Sequence, residues 1–220
     1  MRLVSMLYSS AVSASDRVYD EVKELILTNE ISGGELISEG EVAQRCEVSR
    51  TPVREAFLRL QAEGWMRLYP KRGALVVPVT DRDARDVVDA RQLLEGHAVR
   101  TVVAGDATAH LVESLRGNLD EHRVVDPADI AQFSRVDAQF HQLIVAAGDN
   151  ALLAGFFTGL GERHRRMTTT SVQRNPKIAH AILADHAELL DLIARRDAAG
   201  FDAALQRHLR DVHDLPAGAR

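Results

Sequence analysis

Two groups of residues in this 220-residue chain have types and spacings that could do chemistry. The first begins with Asp137 and His141, in "DAQFH". Residues four apart on a helix share a face, and here that face continues into Ile144 and Val145, so a carboxylate and an imidazole are turned toward a core. His186 falls within the apolar stripe Ile182, Leu189 and Ile193, and His208 among Ala204, Leu205, Val212 and Leu215. If the chain reverses near Asp197–Gly200, both imidazoles stand roughly 15–18 Å from that turn at about 1.5 Å of rise per residue, and so lie side by side. A buried polar group without a partner costs on the order of 1–3 kcal/mol, and one cation would satisfy all four groups. The competing reading is a set of core histidines, each bonded to a backbone carbonyl.

Three imidazoles and one carboxylate without a thiolate suit a divalent ion, Zn²⁺ first, then Ni²⁺, Mn²⁺ or Fe²⁺; they suit Ca²⁺ or Mg²⁺ poorly. Four protein ligands on an ion that accepts five or six leave room for water or a small carboxylate. Arg91, in the stripe Val87, Leu94 and Ala98, also points inward. A buried guanidinium needs compensation, so Arg91 is read as a clamp for the carboxylate of an organic-acid effector, against an internal salt bridge to Glu95 or Asp137. Arg163 and His164 are placed at the border of the same pocket. His110, His122, His180 and His213 show no comparable register and receive no ligand role; His97 stays open.

The second group lies in "CEVSRTPVREAFLRLQAEGW", Cys46–Trp65. Val53, Ala56, Phe57 and Leu60 make one apolar helical face. Arg50, Thr51 and Arg54 crowd the start of that helix, where the backbone already carries partial positive charge, so an anion is called for. From Arg45 to Arg72 the basic residues Arg45, Arg50, Arg54, Arg59, Arg67, Lys71 and Arg72 face only Glu47, Glu55 and Glu63. The hydroxyls of Ser49 and Thr51, with the helix N–H groups, can hold phosphates. Arg50 and Arg54 can reach guanine edges in the major groove, and Lys71 and Arg72, beside flexible Gly73, suit the minor groove or its phosphates. The competing reading is a solvated basic face.

The elements that must position these groups follow from the same patterns. Residues 15–78 give a helix capped by Ser15, a short helix capped by Ser38, and a third with Thr51 at the cap and Pro52 in its first position. "WMRLY", "PKRG" and "ALVVPV" then read as strand, turn and strand, completing a winged helix-turn-helix. Residues 79–82 are a linker. Over 83–215, helical stretches fit Arg82–Ala104, Ala107–His122, Pro127–Ala147, Ala151–Thr169, Lys177–Arg196 and Phe201–Leu215, an all-α helical bundle. The fold class is therefore mainly α. Residues 1–14 read as a loose N-terminal arm, with no apolar run long enough for a secretory leader or a membrane span.

Bulk properties are those of a soluble globular protein: 45% hydrophobic, 27% charged, net charge −5. The net charge gives no global reason to expect nucleic acid, so the local basic excess carries that argument. The single Cys46 excludes an internal disulfide, and a cytoplasmic setting is expected.

The segment "SEGEVAQRCEVSRTPVREAFLRLQAEGWMRLYPKRGALV" resembles the DNA-binding domain of GntR-family bacterial transcription regulators. The resemblance implies operator contacts by Arg50, Thr51 and Arg54 and a minor-groove wing tip at Arg72-Gly73. Cys46 and Glu47 depart from it, standing where the family usually has an aliphatic residue and a glycine; Cys46 is expected to fill the same small core site. "RQLLE", "DAQFHQLIVAAGDN", "ADHAELLDLIARRDAAG" and "ALQRHL" resemble the FCD effector domain of the FadR-like branch. Many such domains bind a divalent metal through one aspartate and three histidines, and matching by position gives Asp137, His141, His186 and His208. Retention of that set argues against an acyl-CoA effector.

The expected function is a transcription regulator, expected to be a repressor, that binds double-stranded operator DNA as a homodimer and senses a metal-bound small carboxylate. A metal-dependent hydrolase with a DNA-binding head is the alternative from another class, though no clear general base accompanies the ligands. A regulator with a purely structural metal is the third.

Overall fold

The computed structural model describes residues 13–215, and within them the chain forms two compact units, one of residues 13–26 and 30–78 and one of residues 27–29 and 79–215. The part of the expected N-terminal arm up to residue 12 lies outside the described residues. No described helix is long and apolar enough to cross a membrane.

The first unit contains α1 (Ala14–Leu27), β1 (Leu36–Ile37), α2 (Glu39–Arg45), α3 (Arg50–Ala62), β2 (Met66–Tyr69) and β3 (Gly73–Val76). Ser13, rather than Ser15, caps α1: its Oγ accepts from the Asp16 N–H at 3.0 Å. Ser38 caps α2 in a reciprocal box with Glu41, two orphan donors being satisfied at once. The cap of α3 is Ser49, two positions earlier than Thr51, and this places Pro52 third in the helix. A capping hydroxyl normally accepts from the second or third N–H; proline has none to give at the third, and the Ser49 side chain makes no cap bond.

The sheet has the order β1-β3-β2, both pairings antiparallel, with Leu36 opposite Leu75 and Met66 opposite Val76. β1 was not anticipated, because two residues are too few to show a period. It nevertheless fixes Gly73: a side chain there would meet the Ile37 carbonyl, and φ is +110°. Val18, Val22, Ile26, Val53, Phe57, Leu60, Met66 and Val76 are buried and form this unit's core.

The second unit is a bundle of α4 (Asp81–Ala104), α5 (Thr108–Val124), α6 (Ile130–Ala147), α7 (Ala151–Arg174), α8 (Ile178–Ala194) and α9 (Ala198–His213). Its helices match the expected stretches closely, except that α7 runs five residues past Thr169 to Arg174. Its core includes Val99, Leu111, Leu115, Phe140, Ile144, Leu189, Phe201 and Leu205.

Two departures in the first unit now have a physical reading. Cys46 is half-buried rather than a core residue, and burial together with the neighbouring Glu21 carboxylate pushes its thiol up to about 11, which leaves it protonated and inert near neutrality. Glu47 closes α2 with φ of 54°, a left-handed conformation that a side chain resists. That conformation explains the family's glycine there. Glu47→Gly is expected to stabilise the protein by about 1 kcal/mol, the left-handed penalty less part of glycine's unfolded-state entropy. Urea denaturation measures this, and a loss of stability would contradict it.

Candidate metal centre and nucleic-acid interface

Three helices bring the four expected ligands together. α6 carries Asp137 and His141 one turn apart, α8 carries His186, and α9 carries His208. One donor atom from each lies within 4.8 Å of every other, and all four residues are buried. The ring centroids of the three histidines stand 5.0, 5.1 and 5.4 Å apart. His186 Nε2 lies 3.2 Å from His141 Nε2 and 3.4 Å from Asp137 Oδ1. The matched height of His186 and His208 around the α8–α9 turn is therefore observed.

Carboxylates orient two of these rings. Glu95 Oε2, on α4, lies 2.7 Å from His141 Nδ1, and Asp185 Oδ2 lies 3.0 Å from His208 Nδ1. Bonded in this way, each Nδ1 carries the proton and each Nε2 presents a lone pair, the usual arrangement for a metal-binding imidazole. The alternative of carbonyl-bonded core histidines does not describe either ring. Thr168, on α7, donates to Asp137 Oδ2 at 2.9 Å, whereas Asp137 Oδ1 is buried without a hydrogen bond. Burial holds His141 and His186 well below the ordinary histidine value, helped by Arg91 and by neighbouring imidazoles, so both are neutral near pH 7. Neutral nitrogens, a carboxylate oxygen without a hydrogen bond and oriented rings are compatible with holding a divalent metal ion.

Arg91 resolves in a way that neither reading fully foresaw. Its Nε donates to Glu95 Oε1 at 2.9 Å, not to Asp137. The internal pair is real, yet Nη1 and Nη2 stay buried with no hydrogen-bond partner. Burial raises the Glu95 carboxyl, while the Arg91 guanidinium pulls it down. Two guanidinium nitrogens are thus left over for another anion.

Arg163 lies exposed on α7, while His164, one residue and 100° further round the helix, faces inward. His164 is buried, with Nε2 3.0 Å from the Thr168 hydroxyl and 3.4 Å from Asp137 Oδ2. His122 and His213, given no ligand role, are both buried core histidines outside the four-residue cluster. The His122 ring packs 4.2 Å from Phe133, and His213 Nδ1 meets the Ser171 hydroxyl at 3.2 Å. A signal was available for His122, which continues the stripe Leu111, Leu115, Asn118 and Leu119. Glu95 was legible as the i+4 neighbour of Arg91; Asp185 was not, since it reaches a ring on another helix. His97, His110 and His180 are exposed.

In the first unit, Ser49, Arg50, Thr51 and Arg54 are exposed at the start of α3, and Lys71 and Arg72 at the wing turn. Glu39 on α2 holds Arg54 through two 3.0 Å bonds from its Nε and Nη2, which fixes the plane of the guanidinium. Arg45 reaches Glu21 at 3.1 Å and Glu30 at 3.6 Å, so its charge is engaged by acidic groups of the same unit. The wing turn spans Pro70–Arg72, with Tyr69 opposite Gly73 and Lys71 at φ 62°.

A winged helix-turn-helix followed by an all-helical bundle is the architecture of a DNA-binding transcription regulator. The profile of the bacterial regulatory proteins of the gntR family matches residues 14–76, and that of the FCD domain matches residues 86–211. Over 202 residues the chain is 31% identical to an uncharacterized HTH-type transcriptional regulator in an unstable DNA locus of Streptomyces ambofaciens, covering 90% of this chain and 82% of the relative. It is 29% identical over 210 residues to the gluconate operon transcriptional repressor of Bacillus subtilis, covering 93% and 86%. The solved structure of McbR/YncC from E. coli shares the fold, with a TM-score of 0.74 at 21% identity over 91% of this chain and 95% of that one. The chain belongs to the GntR family of bacterial regulators, with an FCD domain as its C-terminal part. It is a DNA-binding transcription regulator and not an enzyme, and the hydrolase reading is withdrawn.

The converging donors generate a direct test. Zinc added to the purified protein is expected to stay bound at about one ion per chain through gel filtration, as four inward donors require. The His141→Ala, His208→Ala double variant is expected to retain none. Elemental analysis reads both, and equal retention would remove the site.

Proposed function

We propose that this regulator senses a small organic acid held jointly by a divalent cation and by Arg91, and that occupancy changes operator binding by a homodimer. The observation that carries the reading is the pairing of an inward donor set with two buried, unpartnered guanidinium nitrogens. A cation at Asp137, His141, His186 and His208 would supply Lewis acidity toward one carboxylate oxygen. Arg91 would take the carboxylate through Nη1 and Nη2, a geometry suited to a planar fork. Zinc is the ion proposed, on the strength of three nitrogen donors and one oxygen donor. The same buried nitrogens weigh against a purely structural ion, which would have no use for them.

On DNA, Arg50 and Arg54 would read base edges from α3 while Ser49, Thr51 and the first N–H groups of the helix take phosphate. Lys71, Arg72 and Gly73 would enter the minor groove beside it, and Arg45 would contact the backbone only on exchange from its acidic partners. Two copies reading a palindrome would set the half-site spacing. Repression is the proposed direction, since the Bacillus relative carries a repressor's name; that relative's gluconate operon also makes sugar acids a sensible first group of ligands.

A 100-fold change in operator affinity needs only about 2.7 kcal/mol of coupling. A thermal-shift screen of small organic acids on zinc-loaded protein is expected to give a hit that raises the melting temperature and shifts operator affinity. Arg91→Ala should keep DNA binding and lose most of the response; a full response would remove its clamp role. Arg54→Ala is expected to weaken specific operator binding by about 1–3 kcal/mol, the worth of a bidentate base contact. Fluorescence anisotropy measures this, and unchanged affinity would refute the assigned reader.

A further inference from the structure

Glu95 touches both halves of the proposed sensor. One carboxylate oxygen accepts from Arg91 Nε at 2.9 Å, the other lies 2.7 Å from His141 Nδ1, and all three side chains are fully buried. We propose that Glu95 is a positioning residue that aims the effector clamp and a metal ligand together, so that carboxylate and cation are bound interdependently. The inference rests on the metal-dependent sensing reading above.

Donor counting makes the case. Arg91 has only donors; Glu95 engages its Nε and restrains the guanidinium, while Nη1 and Nη2 are buried without a hydrogen-bond partner. His141 donates from Nδ1, and its Nε2 lone pair then faces the cluster, 3.2 Å from His186 Nε2. Asp185 orients His208 in the same manner, but its side chain is 34% exposed and serves that ring alone. Glu95 is the one that joins a ligand to the clamp.

Only a carboxylate can do this. Two N–H groups converge on its two oxygens, each of which accepts. A glutamine offers one acceptor and one NH₂ donor. Placed with its oxygen toward Arg91, it would present N–H to His141 Nδ1 and force the proton onto Nε2, where the cation belongs. Turned the other way, it would oppose N–H to N–H at Arg91 and release the fork. One function or the other must suffer directly, and the second loses its partner's fixed position.

Glu95→Gln tests this against the wild type. Zinc affinity is read by chelator competition, and acetate, as a minimal carboxylate probe, by thermal shift with zinc saturating each protein. Zinc binding is expected to weaken about 10–100-fold, the usual effect of losing a group that orients a metal-bound histidine. Acetate binding is expected to weaken at least about tenfold even with zinc saturating, as loss of a charge-assisted bidentate site implies. Imidazole nitrogen NMR of the zinc-free wild type is expected to show His141 protonated at Nδ1, a readout that does not require any variant to fold. Glu95→Asp, which keeps both acceptors on a shorter stem, is expected to recover part of each affinity.

Unchanged zinc affinity in Glu95→Gln overturns the proposal. So does acetate affinity that returns to the wild-type value once zinc is saturating, because Glu95 would then serve the cation alone. A proton on His141 Nε2 in the zinc-free wild type overturns it as well. A wild type that takes up no zinc, or zinc but no acetate, refutes the sensing reading itself; that failure is recognised before any variant is compared.

Discussion

The bundle is organised around polar groups that apolar packing alone cannot accommodate. Asp137, His141, His186 and His208 share their interior with Arg91 and Glu95, and every one is buried. Leaving such groups unsatisfied costs on the order of 1–3 kcal/mol each, and more when they are charged. A bundle selected only for stability would place leucines there, since well-packed apolar residues match or exceed a buried ion pair. The surrounding side chains instead support the polar centre. Phe140 stacks on the His186 ring at 4.0 Å and 9°, and Phe133 packs against His122. Helices α4 to α9 each contribute at least one buried polar group to the bundle interior.

The head obeys a different constraint. Proline in the third position of α3 removes the N–H that a capping hydroxyl would normally engage, and Ser49 makes no cap bond. Helix stability is given up at that end. What remains is a cluster of free N–H groups, two hydroxyls and two arginines around the positive end of a helix dipole, which favours phosphate. Glu39 tempers this arrangement. It neutralises part of the Arg54 charge in the free protein, and the Arg54 guanidinium holds the Glu39 carboxyl below the usual range. The Arg54 side of the pair is largely exposed while Glu39 is half-buried, so solvent screens the pair from one side.

Most of this architecture was legible in the sequence because it rests on long periodic stretches. The six bundle helices and the face of α3 follow from residues three, four and seven apart, and the juxtaposition of His186 and His208 follows from their equal distance from the α8–α9 turn. Where the sequence misled, the cause was local. Thr51 looked like a cap because Pro52 favours a first helical position; the chain instead places Ser49 there and carries the proline two positions further in. β1 left no pattern, being two residues long. Arg163 and His164 are neighbours in sequence, and only the 100° step between them decides which faces in. Glu95 was named only as a possible partner of Arg91, and its second contact, to His141, joins residues 46 positions apart. No periodicity on one helix encodes such a contact.

Helix α4 is where the proposed sensor joins the DNA-binding unit along the chain. It follows β3 after residues 77–80, its cap is Thr80, and its middle carries both Arg91 and Glu95. On the proposed reading, an anion bound at Nη1 and Nη2 draws Arg91, and through Glu95 the cation site, into one rigid set. Each charge-assisted hydrogen bond of that kind contributes about 1.5–3 kcal/mol. Two of them therefore reach the roughly 2.7 kcal/mol that a hundredfold change in operator affinity demands, provided they form fully in only one of two states of α4. A ligand held equally well in both states would bind without regulating, however tightly. The physical requirement on the effector is thus narrower than affinity for zinc: its carboxylate must span the cation and the guanidinium in one arrangement of α4 and fail to do so in the other.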